Sequence, residues 1–225
     1  MSDGLRRAAE YVEVVIASAL IAVTVIGLTV LPLLSPQYVR WRVAAGDSAE
    51  LTGLGQEATL DAAEAVRLFV VDEAAPMLPA EIAGLPAFDE AAVSHLLDVR
   101  AVIIGARRMT ITLVLVCVAW VLVRVRSPRG RVLVRSALRG AAWLLALGLA
   151  AATVIGLTSF GALFAWFHSL FFESGTWTFP ADALLIRVFP LPFWTDAAGS
   201  WTVLVLVSAG LLFIAGRRLR FTEGT

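Results

Sequence analysis

The chain has 225 residues, of which 59% are hydrophobic and only 16% charged, and its mean hydropathy is +0.84. This composition excludes an ordinary soluble domain, in which apolar residues make up about 45–50% of the sequence. Its 18 basic residues are all arginine and balance 18 acidic residues. Nothing in the sequence indicates nucleic-acid binding or a nucleotide cofactor, and we expect an all-α integral membrane protein without cofactors.

Four apolar segments have the length and composition of membrane-spanning helices. A helix needs about 20 predominantly apolar residues to cross the hydrocarbon core of a bilayer, and windows of about 19 residues find such segments. The predicted spans are residues 14–34, 104–123, 140–160 and 201–216. We therefore predict that residues 1–225 form a single membrane domain with four transmembrane helices.

The positions of the arginines predict the orientation of these spans. They concentrate before the first span (Arg6 and Arg7), in a loop at 124–139, and after the last span (Arg217, Arg218 and Arg220). Regions next to a span that are rich in arginine remain in the cytoplasm. Both termini are therefore expected inside, with 35–103 and 161–200 on the extracytoplasmic side.

The first outer segment, 35–103, is expected to form a small, mainly helical cap that runs into the second span. Within "EATLDAAEAVRLFVV", one helical face carries apolar side chains. These are Leu60, Ala63, Val66, Phe69 and Val70. Prolines then interrupt the pattern, and Asp89 is a candidate N-cap for a helix that continues without a break into the second span.

The two histidines of the chain occupy similar places relative to the spans. His95 lies in "AAVSHLLDVR" before the second span, and His168 lies in "FAWFHSLFFES" after the third. At the rise of an α-helix, they would lie roughly 13 Å and 12 Å beyond the ends of those spans. Both imidazoles are therefore predicted on the same side of the membrane and at the same height.

The second outer segment, 161–200, is rich in aromatic residues. An aromatic belt at the membrane interface is one interpretation, and two amphipathic interface histidines would agree with it. The first two spans carry few aromatic residues on this side, which favours a pocket beside the histidines. Its predicted lining is Phe164, Phe167, Phe171, Trp177, Phe189 and Trp194.

Two imidazoles on one side of a membrane can exchange protons with a substrate near neutral pH. The sequence has no G-x-S-x-G motif, and Cys117 lies in the middle of a span. Direct transfer is therefore favoured over an acyl-enzyme, with one histidine deprotonating an attacking group. The other histidine would protonate a leaving oxygen or polarise a carbonyl.

A metal site is the alternative use of the same residues. It would combine His95 and His168 with a carboxylate such as Glu173 or Asp182. No H-x-x-x-H or H-E-x-x-H spacing supports such a site. We expect no bound metal.

The motifs "SHLLDVR" before the second span and "FHSLFFESGTW" with "DALLIRVFPLPFW" after the third resemble the bacterial lipoprotein intramolecular transacylase family. The four-helix layout with an outer cap agrees along nearly the whole chain. The resemblance implies an enzyme of the bacterial plasma membrane with an extracytoplasmic active site. Its substrates would be lipoproteins whose N-terminal cysteine carries a diacylglyceryl thioether, and membrane lipids would surround it.

The resemblance also implies a reaction and the residues that perform it. Members of the family move the sn-2 acyl chain of the diacylglyceryl group to the α-amine of the N-terminal cysteine, which gives a lyso-form lipoprotein. His95 and His168 correspond to the catalytic pair. The expected supporting residues are Asp98, Asp182, Arg187 and Glu173. Asp98, three residues after His95 on a helix, would orient the His95 ring. The alternative for Asp98 is a salt bridge to Arg67 or Arg100. Arg187 could instead bind lipid phosphates.

Other classes of function compete with this interpretation. A transporter would usually bury charged residues in mid-membrane, and the apolar cores of the four spans, 14–34, 109–123, 141–160 and 201–216, contain none. A non-catalytic envelope scaffold would use the acidic outer segments as a docking surface. An acyltransferase with a different lipid acceptor would keep the same fold and the same histidines.

Overall fold

The computed structural model describes residues 3–74 and 77–218, and within these ranges helices form nearly all of the regular structure. Arg220, part of the predicted cytoplasmic arginine cluster, lies outside the described residues. The helices are α1 (Asp3–Val30), α2 (Pro36–Ala45), α3 (Ser48–Thr52), α4 (Gln56–Val71), α5 (Glu90–Arg124), α6 (Pro128–Thr158), α7 (Phe160–Ser169), α8 (Leu184–Val188) and α9 (Leu191–Arg218). A 3₁₀ turn, Leu31–Leu34, follows α1, and a hairpin pairs β1 (Glu81–Ile82) with β2 (Leu85–Pro86).

Four of these helices are long and apolar enough to cross a membrane. They are α1 with its 3₁₀ turn, α5, α6 and α9. A helix satisfies its own backbone hydrogen bonds, which is why continuous apolar sequence in a bilayer becomes helical. The all-α prediction with four membrane-spanning helices is confirmed.

The boundaries of the helices differ from the predicted spans in several places, and α1 already begins at Asp3 rather than at residue 14. Residues 124–139 were expected to form a loop, but α6 begins at Pro128. Proline is favoured in the first turn of a helix, and the Ser127 hydroxyl accepts a hydrogen bond from the Gly130 N–H at 3.0 Å. Arginine is a good helix former, so the arginine-rich segment extends α6 instead of interrupting it.

The third span ends two residues earlier than predicted, and the fourth begins ten residues earlier than 201. Ser159 has an extended backbone, and its hydroxyl accepts the Ala162 N–H at 3.2 Å, which starts α7 as a separate helix. At the other place, α9 begins at Leu191 with Pro192 in its first turn. Proline has no N–H, and the first turn needs none.

The chain packs as two compact units, and the single membrane domain stays a prediction. The first, which we call the span unit, comprises Met1–Thr29, Arg108–Val154 and Thr202–Thr225, and the second, the histidine unit, comprises Val30–Arg107 and Ile155–Trp201. Each unit buries apolar side chains of its own. Helix α5 contributes residues to both.

Small residues bring the helices of the span unit close together. The Ser18 hydroxyl donates to the Ala137 carbonyl at 3.2 Å as well as to its own helix at Val14. A Cβ at Gly140 would lie only 2.3 Å from the Ser18 oxygen, and one at Gly27 would lie 2.0 Å from the Thr110 oxygen. Close approach at small residues is the usual basis of helix packing in membranes.

The histidine unit has an apolar core of its own between α2, α4, α8 and the first turns of α5. Val43, Ala62, Ala63 and Val188 are fully buried there. The predicted apolar face of α4 is confirmed, since Ala63, Val66, Phe69 and Val70 are buried and Leu60 packs against the same core. Asp89 caps α5 as predicted, because its side chain accepts the Ala92 N–H at 2.8 Å.

We expect Gly27→Ala to destabilise the span unit. The added methyl group would meet the short, buried side chain of Thr110, and such overpacking typically costs about 1–3 kcal/mol. Gly148→Ala is the matched control, because no atom lies within 4 Å of a Cβ there and alanine favours a helix over glycine by about 0.5–1 kcal/mol. Thermal unfolding in detergent should place the midpoint of Gly27→Ala below that of the wild type and of Gly148→Ala. An equal midpoint for the two variants would contradict the packing described here.

Candidate active site

His95 lies on the face of α5 that packs into the core of the histidine unit. The cap at Asp89 sets the start of the helix, and from there Ala92 and Leu96 share the buried face with His95. His95 is only 7% exposed, and its Nδ1 atom is buried without a hydrogen-bond partner among the described residues. Few buried polar atoms in proteins lack a hydrogen-bond partner, and each atom without one needs an explanation.

His168 lies in the last turn of α7, and a backbone hydrogen bond defines its tautomer. Its Nδ1 lies 2.8 Å from the carbonyl oxygen of Phe164, one turn earlier on the same helix. A carbonyl oxygen can only accept, so Nδ1 carries the hydrogen and donates it. In the neutral ring, the lone pair is therefore on Nε2.

The structure brings the two histidines together from distant parts of the sequence. Their ring centroids are 6.3 Å apart, and the planes are inclined by 26°. Helix α5 supplies one ring and α7 the other, and both belong to the histidine unit. Two groups that can each take or give a proton thus lie within reach of one small substrate group.

Aromatic rings surround this pair. Around His168, the ring centroids of Phe164, Trp177 and Phe167 lie at 4.0, 4.8 and 5.6 Å. These three were predicted to line the pocket. The remaining predicted residues form an outer layer, in which Phe171 contacts Phe167, and Trp194 contacts both Phe164 and Phe189.

Two aromatic residues that contact the histidines are missing from the predicted pocket. Phe172 lies 5.0 Å from His95 and 5.6 Å from His168, and Phe179 lies 5.5 Å from His95. Phe172 follows His168 by four residues, a spacing that could have indicated it. No local signal indicates Phe179, because its contact joins positions far apart in the sequence.

No hydrogen bond joins Asp98 to His95 among the described residues. Its side chain is exposed, while the Nδ1 of His95 is buried without a partner among the described residues. The alternative salt bridge is not formed either. Arg67 binds Glu64 through two hydrogen bonds, and Arg100 donates to the Glu73 carbonyl oxygen.

The other predicted supporting residues lie at the surface. Glu173 and Asp182 are exposed, and Arg187 is half-buried on α8. Residues 3–74 and 77–218 contain no group of three or more histidine, cysteine or acidic side chains that could hold a metal ion. The described side chains thus do not assemble the alternative metal site considered from the sequence.

Burial sets the protonation of His168. Removal from water penalises the charged ring and lowers the pKa of His168 below its ordinary value, and the hydrogen bond to Phe164 opposes this only in part. A lowered pKa keeps the ring neutral to lower pH. Near neutrality, Nε2 is therefore a free proton acceptor.

The fold and the site define a class: a mainly helical integral membrane protein with two neighbouring imidazoles, one buried and one half-buried, in an aromatic shell. The chain belongs to the lipoprotein intramolecular transacylase family, which consists of acyltransferases. The family, described as lipoprotein intramolecular transacylase Lit, matches residues 14–194.

Solved structures of this family share the fold. The membrane-integral lipoprotein intramolecular transacylase Lit from Bacillus cereus is similar to this chain with a TM-score of 0.81 at 15% identity, over 94% of this chain and 95% of that one. A variant of that protein with one histidine replaced by alanine gives a TM-score of 0.77 at 14% identity, over 96% and 95% of the two chains. No curated protein sequence matched this chain. The family and these structures identify a bacterial membrane protein.

The protonation of His168 can be measured directly, because the chain has only two histidines. In ¹⁵N-histidine-labelled protein, we expect His168 to be the tautomer with hydrogen on Nδ1. We expect it to titrate below the ordinary histidine pKa of about 6.5, because burial disfavours the charged ring. His95→Gln assigns the remaining signal. A midpoint above 6.5, or hydrogen on Nε2 alone, would contradict this geometry.

Proposed function

We propose that this protein moves the sn-2 acyl chain of a diacylglyceryl-modified lipoprotein to the α-amine of its N-terminal cysteine. Membership of the transacylase family supports lipoproteins as substrates. The observation that carries the finer proposal is the pair of imidazoles, 6.3 Å apart inside an aromatic shell. The product is a lyso-form lipoprotein with an N-acyl group and a monoacylglyceryl thioether.

In this proposal, His168 is the general base. Its Nδ1–H is held by the Phe164 carbonyl, so Nε2 is the atom that accepts a proton. Nε2 removes a proton from the amine as the nitrogen attacks the ester carbonyl carbon. The lowered pKa of His168 suits this role, since the ring must be neutral to act as a base.

His95 is proposed as the proton donor to the leaving group. When the bond between the carbonyl carbon and the sn-2 oxygen breaks, the glycerol oxygen gains the proton that the amine has lost, so the reaction needs no further reactant. The Nδ1 of His95 has no partner among the described residues, which leaves it available to the substrate. Transfer of the accepted proton from His168 back to His95 would restore the starting protonation state of both rings.

The aromatic shell is proposed to hold the two acyl chains and the glycerol in a reactive geometry. Donor and acceptor belong to one molecule, so catalysis requires mainly that the amine be held against the ester. Phe164, Phe167 and Trp177 contact His168 directly. Their apolar surfaces favour lipid and exclude the water that would hydrolyse the ester.

The arginine distribution supports an orientation with both termini in the cytoplasm. The histidine pair would then act on the extracytoplasmic side of the plasma membrane, among its lipids. In that setting, we propose that the exposed Asp98, Asp182 and Glu173 contact the polar part of the lipoprotein. Arg187, half-buried on α8, would contact the same region or a lipid phosphate.

The test is mass spectrometry of the N-terminal lipopeptide of a reporter lipoprotein, made in a bacterium without its own N-acylating enzyme. With this protein present, the total number of acyl chains should stay constant while fragmentation places one chain on the amine. We expect His168→Gln and His95→Asn each to slow transfer by about 10²–10⁴-fold, the usual contribution of general acid–base catalysis. Gly148→Ala, in the span unit, is the matched control with normal activity.

The outcomes separate the competing functions. Full transfer by both histidine variants would overturn the histidine mechanism. An unchanged diacylglyceryl peptide in the presence of folded wild-type protein would instead favour a scaffold. An additional acyl chain on the lipopeptide would indicate a different lipid donor.

A further inference from the structure

Trp177 has a buried indole nitrogen that no group among the described residues accepts from. The residue lies in the segment between α7 and α8, and its ring is tilted against that of His168, with centroids 4.8 Å apart and an angle of 35° between the planes. It was predicted only as part of an apolar lining. Its N–H gives it a second property that phenylalanine, used at most other positions of the shell, does not have.

An indole N–H can donate a hydrogen bond and cannot accept one. Burying it without an acceptor is unfavourable, so such donors usually find a partner. Trp194, in the same aromatic shell, donates to the Phe189 carbonyl at 3.0 Å, and Trp120 in the span unit donates to Glu13 at 2.9 Å. Trp177 departs from this pattern, and its ring is in contact with the proposed catalytic base.

We propose that Trp177 is a catalytic residue whose indole N–H donates to the carbonyl oxygen of the ester under attack. This inference rests on the proposed function. The amine nitrogen forms a bond to the carbonyl carbon, and the electron pair of the C=O bond moves to its oxygen. When that pair returns, the bond to the sn-2 oxygen breaks and the carbonyl is restored as an amide.

The oxygen gains negative charge between these two steps, and a fixed donor at that point stabilises the transition state more than the ground state. An indole suits this role because it keeps its hydrogen throughout the accessible pH range and carries no charge to be desolvated. His95 also has a buried atom, Nδ1, that has no partner among the described residues. However, that ring is proposed to give up its proton, so it cannot hold the oxyanion throughout the reaction.

Trp177→Phe is the decisive variant, because it keeps an aromatic ring against His168 and removes the N–H. With the reporter lipopeptide, we expect kcat to fall by about 10²–10³-fold, the range for loss of one oxyanion donor. KM should change by less than about 3-fold, since the bond forms mainly in the transition state. Trp166→Phe is the matched control and should leave kcat unchanged, because Trp166 lies on α7 with 59% of its surface exposed.

A second measurement does not depend on the activity of a variant. An unreactive lipopeptide with an acetylated amine and an intact sn-2 ester should move the ¹⁵N–H resonance of Trp177 downfield. An analogue with an ether at sn-2 has no carbonyl and should leave it in place. The signal is assigned by its loss in Trp177→Phe.

The results distinguish this inference from the proposed function. If the wild type transfers the chain while Trp177→Phe has a normal kcat, or if both analogues leave the resonance unmoved, the role of Trp177 is overturned and the function stands. If the wild type transfers no chain, the function is overturned, and the role of Trp177 with it. A fall in kcat together with a carbonyl-dependent shift supports both.

Discussion

The placement of two imidazole rings, one buried and one half-buried, in an apolar surrounding is the constraint on which the site depends. His95 is almost completely buried beside Ala92 and Leu96, and a polar group in such a place is unfavourable unless it has partners. For His168, the Phe164 carbonyl supplies one partner. No equivalent partner is present for His95 among the described residues, and perturbed or unsatisfied groups of this kind concentrate at functional sites.

The shell around the rings is aromatic rather than charged, and this determines its chemistry. A carboxylate beside a histidine stabilises the protonated form, whereas burial among rings stabilises the neutral form. Here the second effect prevails at His168, and the carboxylates expected to help, Asp98 and Asp182, are exposed. The result is an imidazole with a lowered pKa, which suits the proposed role of His168 as a base. The same rings offer an apolar surface of the kind that acyl chains need.

A short interruption of helical structure makes this arrangement possible. Ser159 adopts an extended backbone between α6 and α7, and its side chain caps the new helix. The break ends the helical hydrogen bonding of α6 before α7 begins, and the ring of His168, in the last turn of α7, lies 6.3 Å from that of His95. One serine with a capping hydroxyl therefore separates a membrane-spanning helix from a helix that carries a site residue.

The sequence by itself determined the fold class, because a bilayer accepts apolar segments only as helices and the hydropathy of four segments is unambiguous. It also indicated both histidines and the rings of Phe164, Phe167 and Trp177, since these are close to His168 in the sequence. Tertiary structure decided the rest. The contact of Phe179 with His95 and the exposure of Asp98 depend on how distant segments meet in three dimensions. The same is true of the Trp177 indole N–H, which has no acceptor among the described residues. Local spacing carries no information about such contacts, because they follow from the packing of whole helices and connecting segments.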